Sequence, residues 1–199
     1  MSYLNREARR EAIVQAAMRV ALSRGFSAMT VRHIAQEASM ASGQVHHHFT
    51  SSGELKAEAF VRVVREMLDV PLAADCASWR EKLFVMLYSE EGKLGPHLRL
   101  WREAQILADS DSDIKAAYLL TMTMWHDETV AIIQNGVEAK EFTLNDTPSG
   151  IAWRLISLVC GLDGIYALGL EGMDDAAFVH HLQQAITVEL FTPSSRHKV

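Results

Sequence analysis

Three consecutive histidines, His46-His47-His48, form the densest run of chemically versatile side chains in this 199-residue sequence. Imidazole can ligate a metal, move a proton or donate a hydrogen bond to an anion. On a helix, successive side chains point about 100° apart, so three in a row cannot converge on one tetrahedral ion. No metal site is expected there, and no cofactor elsewhere. The neighbouring residues point to a polyanion instead. Ser42, Gly43 and Gln44 precede the histidines, and no Asp or Glu lies between Ala38 and Gly53, where a carboxylate would repel phosphate. Short or planar polar groups of this kind donate to phosphate oxygens and read base edges, and Gln44 can pair with adenine. Thr30, Arg32 and Ser52 flank the stretch with two more hydroxyls and a guanidinium.

Elements must hold those groups in place. Residues 29–49 read as a short helix, a tight break at Ser39–Ala41 and a second short helix over about Ser42 to His48, the arrangement of a helix-turn-helix. Ala35 is small where the two helices approach, and Ile34, Val45 and Phe49 are apolar where the pair docks. The docking surface is a preceding helix from about Asn5 to Arg24, whose Ile13, Ala16, Ala17, Val20 and Ala21 form one stripe. Gly25 ends that helix, Thr30 caps the next, and Ser51 with Glu54 forms a capping box that opens a fourth. The spacing predicts five longer helices behind these. The first starts at Ser78, with Glu81 completing its capping box. The next runs from Pro96 to Ala108 after breaks at Gly92 and Gly95. A long one ends near Gly136. One starts after Thr147-Pro148 and runs to about Leu168, and the last opens at Asp174 and stops before Pro193. Pro71 closes the fourth. Strand alternation is nearly absent. The expected fold is all-α with about nine helices. Residues 1–52 form a DNA-binding head with its helix-turn-helix at about 29–49, 53–70 a connecting helix, and 71–199 a helical effector-binding and dimerisation body.

The net charge of −6 opposes DNA binding if taken whole. Its distribution does not: residues 1–66 hold nine Lys/Arg against six Asp/Glu, and residues 67–199 hold ten against nineteen. A basic head on an acidic body steers one end towards phosphate. No uninterrupted apolar run approaches the roughly 20 residues that span a bilayer. The segment Met1 to Arg10 is polar, with three arginines and no apolar signal core. Two cysteines, Cys76 and Cys160, lack metal or disulfide spacing. A cytoplasmic protein with no membrane partner is expected.

The head resembles the TetR-type repressor family. The likeness is carried by Gly25-Phe26, Thr30-Val31-Arg32-His33-Ile34-Ala35, Gly43, His46-His47-His48-Phe49, Ser51 and Glu54-Leu55, and covers about residues 8–60 in detail. It implies a homodimer that binds a two-fold-related operator in double-stranded DNA, usually as a repressor controlled by a small molecule in the body. Arg32 is then expected on phosphate or a base edge, Thr30 at its helix cap and on phosphate, and Ser42, Gly43, Gln44 and His46 in the groove. His47, His48 and Ser52 are expected on phosphate. Two departures stand out: His46 replaces a usual tyrosine, and Ser52 a usual phosphate-binding lysine. Partly protonated histidines are expected to replace the lost cation, with DNA affinity falling steeply between about pH 6 and 8.

In the body, Trp101, Glu103, Trp125, Trp153, Asp163 and Tyr166 would suit a cationic or aromatic effector by cation–π contact and charge pairing. The same aromatics at helical spacing are otherwise core. Gly161-Leu162-Asp163-Gly164 is similar to the sub-group that includes choline-responsive regulators. His126-Asp127-Glu128 and His180-His181 read as solvated helix faces. Leu155, Leu158, Leu162, Phe178, Leu182 and Ile186 are expected in a four-helix dimer interface, with Gly161, Gly164 and Gly169 allowing close approach; the alternative is an intrachain core. The sequence holds no G-x-S-x-G, Gly-rich phosphate loop or HExxH, so an enzyme is not expected. The competing function is an accessory or global DNA-binding regulator, an activator included, without a small-molecule effector.

Overall fold

The structure, a computed structural model, describes residues 5–69, 78–88 and 95–191. Pro71, Cys76, Gly92 and Pro193 lie outside the described residues. Among the described residues the chain is helical without strands: α1 Arg6–Arg24, α2 Val31–Glu37, α3 Ser42–His46, α4 Ser52–Leu68, α5 Trp79–Leu87, α6 Gly95–Leu107, α7 Ser112–Glu138, α8 Pro148–Ala167 and α9 Asp175–Phe191, with one 3-10 turn at Phe26–Ala28. Two compact units emerge. One holds α1 to α4, α6 and α7 as far as Met122; the other holds α5, α7 from Thr123, α8 and α9. This grouping cuts across the expected boundary at residue 71.

In the first unit the α1 stripe is buried as its spacing requires, together with Val14 and Met18. It packs on α2 and α6. Ile34, Ala35, Val45 and Phe49 dock the helix pair, and α4 adds Leu55, Ala59, Phe60, Val63 and Val64. Phe60 contacts Phe26 edge-on (centroids 5.8 Å apart), and Trp101 lies 5.9 Å from Phe60 and 5.2 Å from Tyr118. Gly25 is required twice over. Its φ of 79° is left-handed, and the Glu103 carboxylate occupies the space a Cβ would need. That carboxylate accepts the Phe26 N–H at 2.6 Å, and Arg99 donates to the Leu22 carbonyl at 2.6 Å. The end of α1 is thus capped by two side chains of α6.

In the second unit α8 and α9 pack along Ile151, Leu155, Ile156 and Leu162 against Phe178, Leu182, Ile186 and Leu190. The α8 helix is long and apolar enough to cross a membrane by length and composition alone. Arg154 and Asp163 interrupt its apolar residues, so the sequence shows no single long run, and its apolar face is spent on α9. Arg154 donates to Glu189 and Asp146, each at 2.7 Å, and these carboxylates raise its pKa. Gly136 lies in the last turn of α7, which ends at Glu138, close to where the sequence predicts. The Phe142 ring occupies its Cβ space, and Lys140 supplies the left-handed residue (φ 62°) beyond the helix.

Candidate nucleic-acid interface

Local capping sets the helix pair. The Thr30 hydroxyl accepts the His33 N–H at 3.2 Å, as its position before α2 predicts. His33 Nδ1 donates to the Ala28 carbonyl at 2.8 Å, which fixes the ring's tautomer and pins the approach to α2. Between α2 and α3, Ser39 is left-handed (φ 54°) and the Met40 N–H closes onto the Ala35 carbonyl at 2.8 Å. Arg19 pairs with Glu37 at 2.7 Å and ties α2 to α1.

These contacts divide α3 into two faces. Val45 and Phe49 are buried, at 2% and 4% exposure. Ser42, Gly43, His46 and His47 are exposed, and Gln44 and His48 half-buried. Thr30, Arg32 and Ser52 are exposed as well. The α3 helix closes at His46, two residues sooner than the pattern predicts, and His47 caps it. Gly43 has nothing within 4 Å of where a Cβ would stand. No packing among the described residues explains a glycine there.

Electrostatics refine the count of basic residues. Arg10 grips Glu58 with both terminal nitrogens and lies 4.8 Å over the Phe49 ring. Arg62 pairs with Glu11 at 2.6 Å and Glu58 at 3.2 Å. Those cations are neutralised inside the head. Burial pushes the His48 pKa down, and Arg6, Arg9, His47 and Arg10 push it further. These surroundings disfavour its charged form, and the expectation that His48 replaces the missing lysine charge does not fit them.

Tertiary structure also brings in carboxylates that the stretch itself lacks. Asp111 and Asp113, from the start of α7, sit over the first turn of α4. The Asp113 carboxylate accepts from the Ser51 hydroxyl at 3.3 Å and fills the Cβ space of Gly53. The Ser51 hydroxyl in turn accepts the Glu54 N–H at 2.9 Å. Glu54 reaches back to the Thr50 N–H and hydroxyl, each at 2.7 Å, so its half of the capping box closes one residue earlier than expected. The Thr50 bonds hold its carboxyl below the usual carboxylate range. Ser52 thus stands beside an acidic pair, which no local pattern reveals.

The body residues are not brought to one site within either unit. Trp101 and Glu103 belong to the first, with Glu103 engaged at the end of α1. Trp125, Trp153, Asp163 and Tyr166 belong to the second. There Trp125 donates to the Met86 carbonyl at 3.2 Å, and Trp153, 43% exposed, stacks on His126 at 4.4 Å. Of the six residues expected between subunits, Leu155, Leu162, Phe178, Leu182 and Ile186 are buried inside the unit and Leu158 is half-buried. Contact across subunits is therefore not open to those five side chains in this arrangement. The face they leave to solvent carries Gly161, Gly164, Ile165 and Leu168 in one helical stripe, with open space above both glycines.

An all-α chain whose head shows a polar short helix backed by a buried apolar pair has the build of a helix-turn-helix DNA-binding protein. Residues 13–59 match the bacterial regulatory proteins, tetR family. Over 66 residues the chain is 36% identical to the HTH-type transcriptional regulator PksA of Bacillus subtilis (strain 168), covering 33% of this chain and 32% of that protein. The match thus spans about a third of the relative's length. Solved structures share the fold along nearly the whole chain. A transcriptional regulator from Saccharomonospora viridis in complex with choline aligns with a TM-score of 0.74 at 23% identity, over 91% of this chain and 96% of that one. A TetR-family transcriptional regulator from Rhodococcus sp. aligns with a TM-score of 0.73 at 22% identity, over 92% and 98%. The head, over residues 13–59, is thus similar to that of the tetR family of bacterial regulatory proteins.

Proposed function

We propose that this chain is a cytoplasmic, homodimeric transcriptional regulator of the repressor type that places α3 in the major groove of a two-fold-related operator. One observation carries the reading: α3 buries Val45 and Phe49 while leaving Ser42, Gly43, His46 and His47 to solvent. Arg32 and Thr30 at the start of α2, and Ser52 at the start of α4, flank that face as phosphate contacts, with Gln44 available to a base. A labelled genomic fragment library, sorted by binding, tests it. Selective retention of a two-fold-related sequence over random duplex is expected; equal retention of all fragments refutes sequence-specific regulation and favours an accessory DNA-binding protein.

The α8–α9 face supports the dimer. Gly161 and Gly164 would each cost about 1 kcal/mol relative to alanine in an exposed helix, and nothing among the described residues requires them. With Ile165, Leu168 at 74% exposure and Val188 at 58%, they offer a face on which a second copy packs closely. A monomer at micromolar concentration by light scattering refutes this. The effector proposed is an organic cation, in keeping with the body's aromatic residues and Asp163 and with the choline bound by the Saccharomonospora viridis neighbour. A rise in melting temperature with choline is expected; no shift with choline or other quaternary amines at millimolar concentration refutes that class.

A further inference from the structure

A cleft of about 350 Å³ opens between the first turn of α1 and the end of α3, lined by Arg6, Glu7, Arg10 and His48. Its walls differ in chemistry. Arg10 is engaged by Glu58 and held against Phe49, so it shapes the cleft more than it charges it. Arg6 is exposed and has no ion-pair partner among the described residues. Arg9, three residues on, is not part of the lining. The acid that α4 contributes nearby, Glu58, is consumed by Arg10 and Arg62. Glu7 is then the acid left on the cleft wall. His48 closes the other side, directly after the exposed His46 and His47.

We infer that Arg6 and His48 form a docking cleft for a DNA backbone phosphate beside the base-reading face of α3, so that α1 is itself part of the nucleic-acid interface. The inference rests on the DNA-binding reading of α3 and deepens it. A guanidinium presents donors in a planar fork that matches phosphate oxygens, and a neutral imidazole supplies one further N–H. Phosphate contacts set register and orientation without reading sequence. The cleft therefore fixes how α3 enters the groove, a task for which the family's usual lysine is absent at Ser52.

Fluorescence anisotropy of the full chain, with a labelled random-sequence duplex and with a duplex selected by the wild type, tests this across a potassium chloride series. Arg6→Gln should weaken binding to both duplexes alike. It should also lower the slope of log K against log salt by about 0.9 for the phosphate no longer neutralised, or about 1.8 for a two-headed complex. Glu7→Gln should act oppositely and tighten both complexes. Gln44→Ala should narrow the preference for the selected duplex and leave the salt slope as it was. Circular dichroism melts show whether each variant folds; Arg6 is exposed and its variant should melt as the wild type does. A wild-type slope for Arg6→Gln, beside normal wild-type binding, overturns the cleft alone. Failure of the wild type to bind either duplex overturns the reading of α3, and this inference with it.

Discussion

Replacing Gly43 by alanine separates folding from DNA binding, because the two respond with opposite sign. Gly43 is the second residue of α3, is exposed, and has no atom within 4 Å of an added Cβ. Its φ is not in the left-handed region, so alanine fits without strain. Alanine lowers the conformational freedom of the unfolded chain and favours the helix by about 0.5–1 kcal/mol at an interior position. At the start of a five-residue helix the lower end applies, and about 0.5 kcal/mol raises the melting temperature of a chain this size by about 1–2 °C. In the complex the same methyl group stands where the backbone of α3 meets DNA. Displacing that approach should cost at least about 1.4 kcal/mol per head, a tenfold loss of affinity. The assay is a thermal melt paired with fluorescence anisotropy on a wild-type-selected duplex. A more stable variant with undiminished DNA affinity shows that Gly43 does not face DNA. A variant that melts lower shows that the space around Gly43 is not open.

Three further outcomes follow from particular side chains. Asp113→Asn removes one negative charge beside Ser52; a unit charge roughly 6 Å away in water is worth about 0.7 kcal/mol, so DNA affinity should rise about threefold per head at low salt. The gain should vanish near 1 M salt, and an unchanged or weaker affinity at low salt refutes the placement of Asp113 next to phosphate. His48 and His97 both have pKa values lowered mainly by burial, with Glu66 opposing the shift at His97. The folded head binds these protons less readily than the unfolded chain, so stability is full above the ordinary histidine pKa of about 6.5 and is lost as pH falls through the lowered values. The melting temperature should drop between pH 7 and 5, and His48→Gln should flatten the drop without removing it; an unaltered profile in that variant refutes the burial argument. Finally, Leu182→Ala should cost about 2–5 kcal/mol by opening a cavity in the α8–α9 seam. Leu168→Lys should change monomer stability by less than about 0.5 kcal/mol while dissociating the dimer, which analytical ultracentrifugation with thermal melts resolves.

The features legible in the sequence are those governed by neighbours a few residues apart. Thr30 before α2, Gly25 after α1, Ser78 with Glu81, and Thr147-Pro148 before α8 mark helix ends, because capping bonds join residues at fixed short spacing. The α1 stripe and the two-faced character of α3 follow from the helical period in the same way. The end of α7 near Gly136 is legible too, but the second role of that glycine is not. Gly136 admits the Phe142 ring, and only the tertiary position of that ring shows it.

The sequence by itself determined that this is an all-α chain with a helix-turn-helix head, and which residues of α3 are polar and which apolar. Only the tertiary structure decided which charges remain to act. Pairing depends on side chains that meet across tens of residues: Arg10 with Glu58, Arg62 with Glu11, and Asp113 with Ser51, 62 positions apart. A segment free of acid in its own sequence thereby acquires two carboxylates, and three histidines of equal standing acquire different surroundings. In the same way the apolar face of α8 that meets α9, and the stripe from Gly161 to Leu168 that it leaves open, are indistinguishable in composition. Helical periodicity shows that such a helix has faces, but which face is filled depends on where α9 returns.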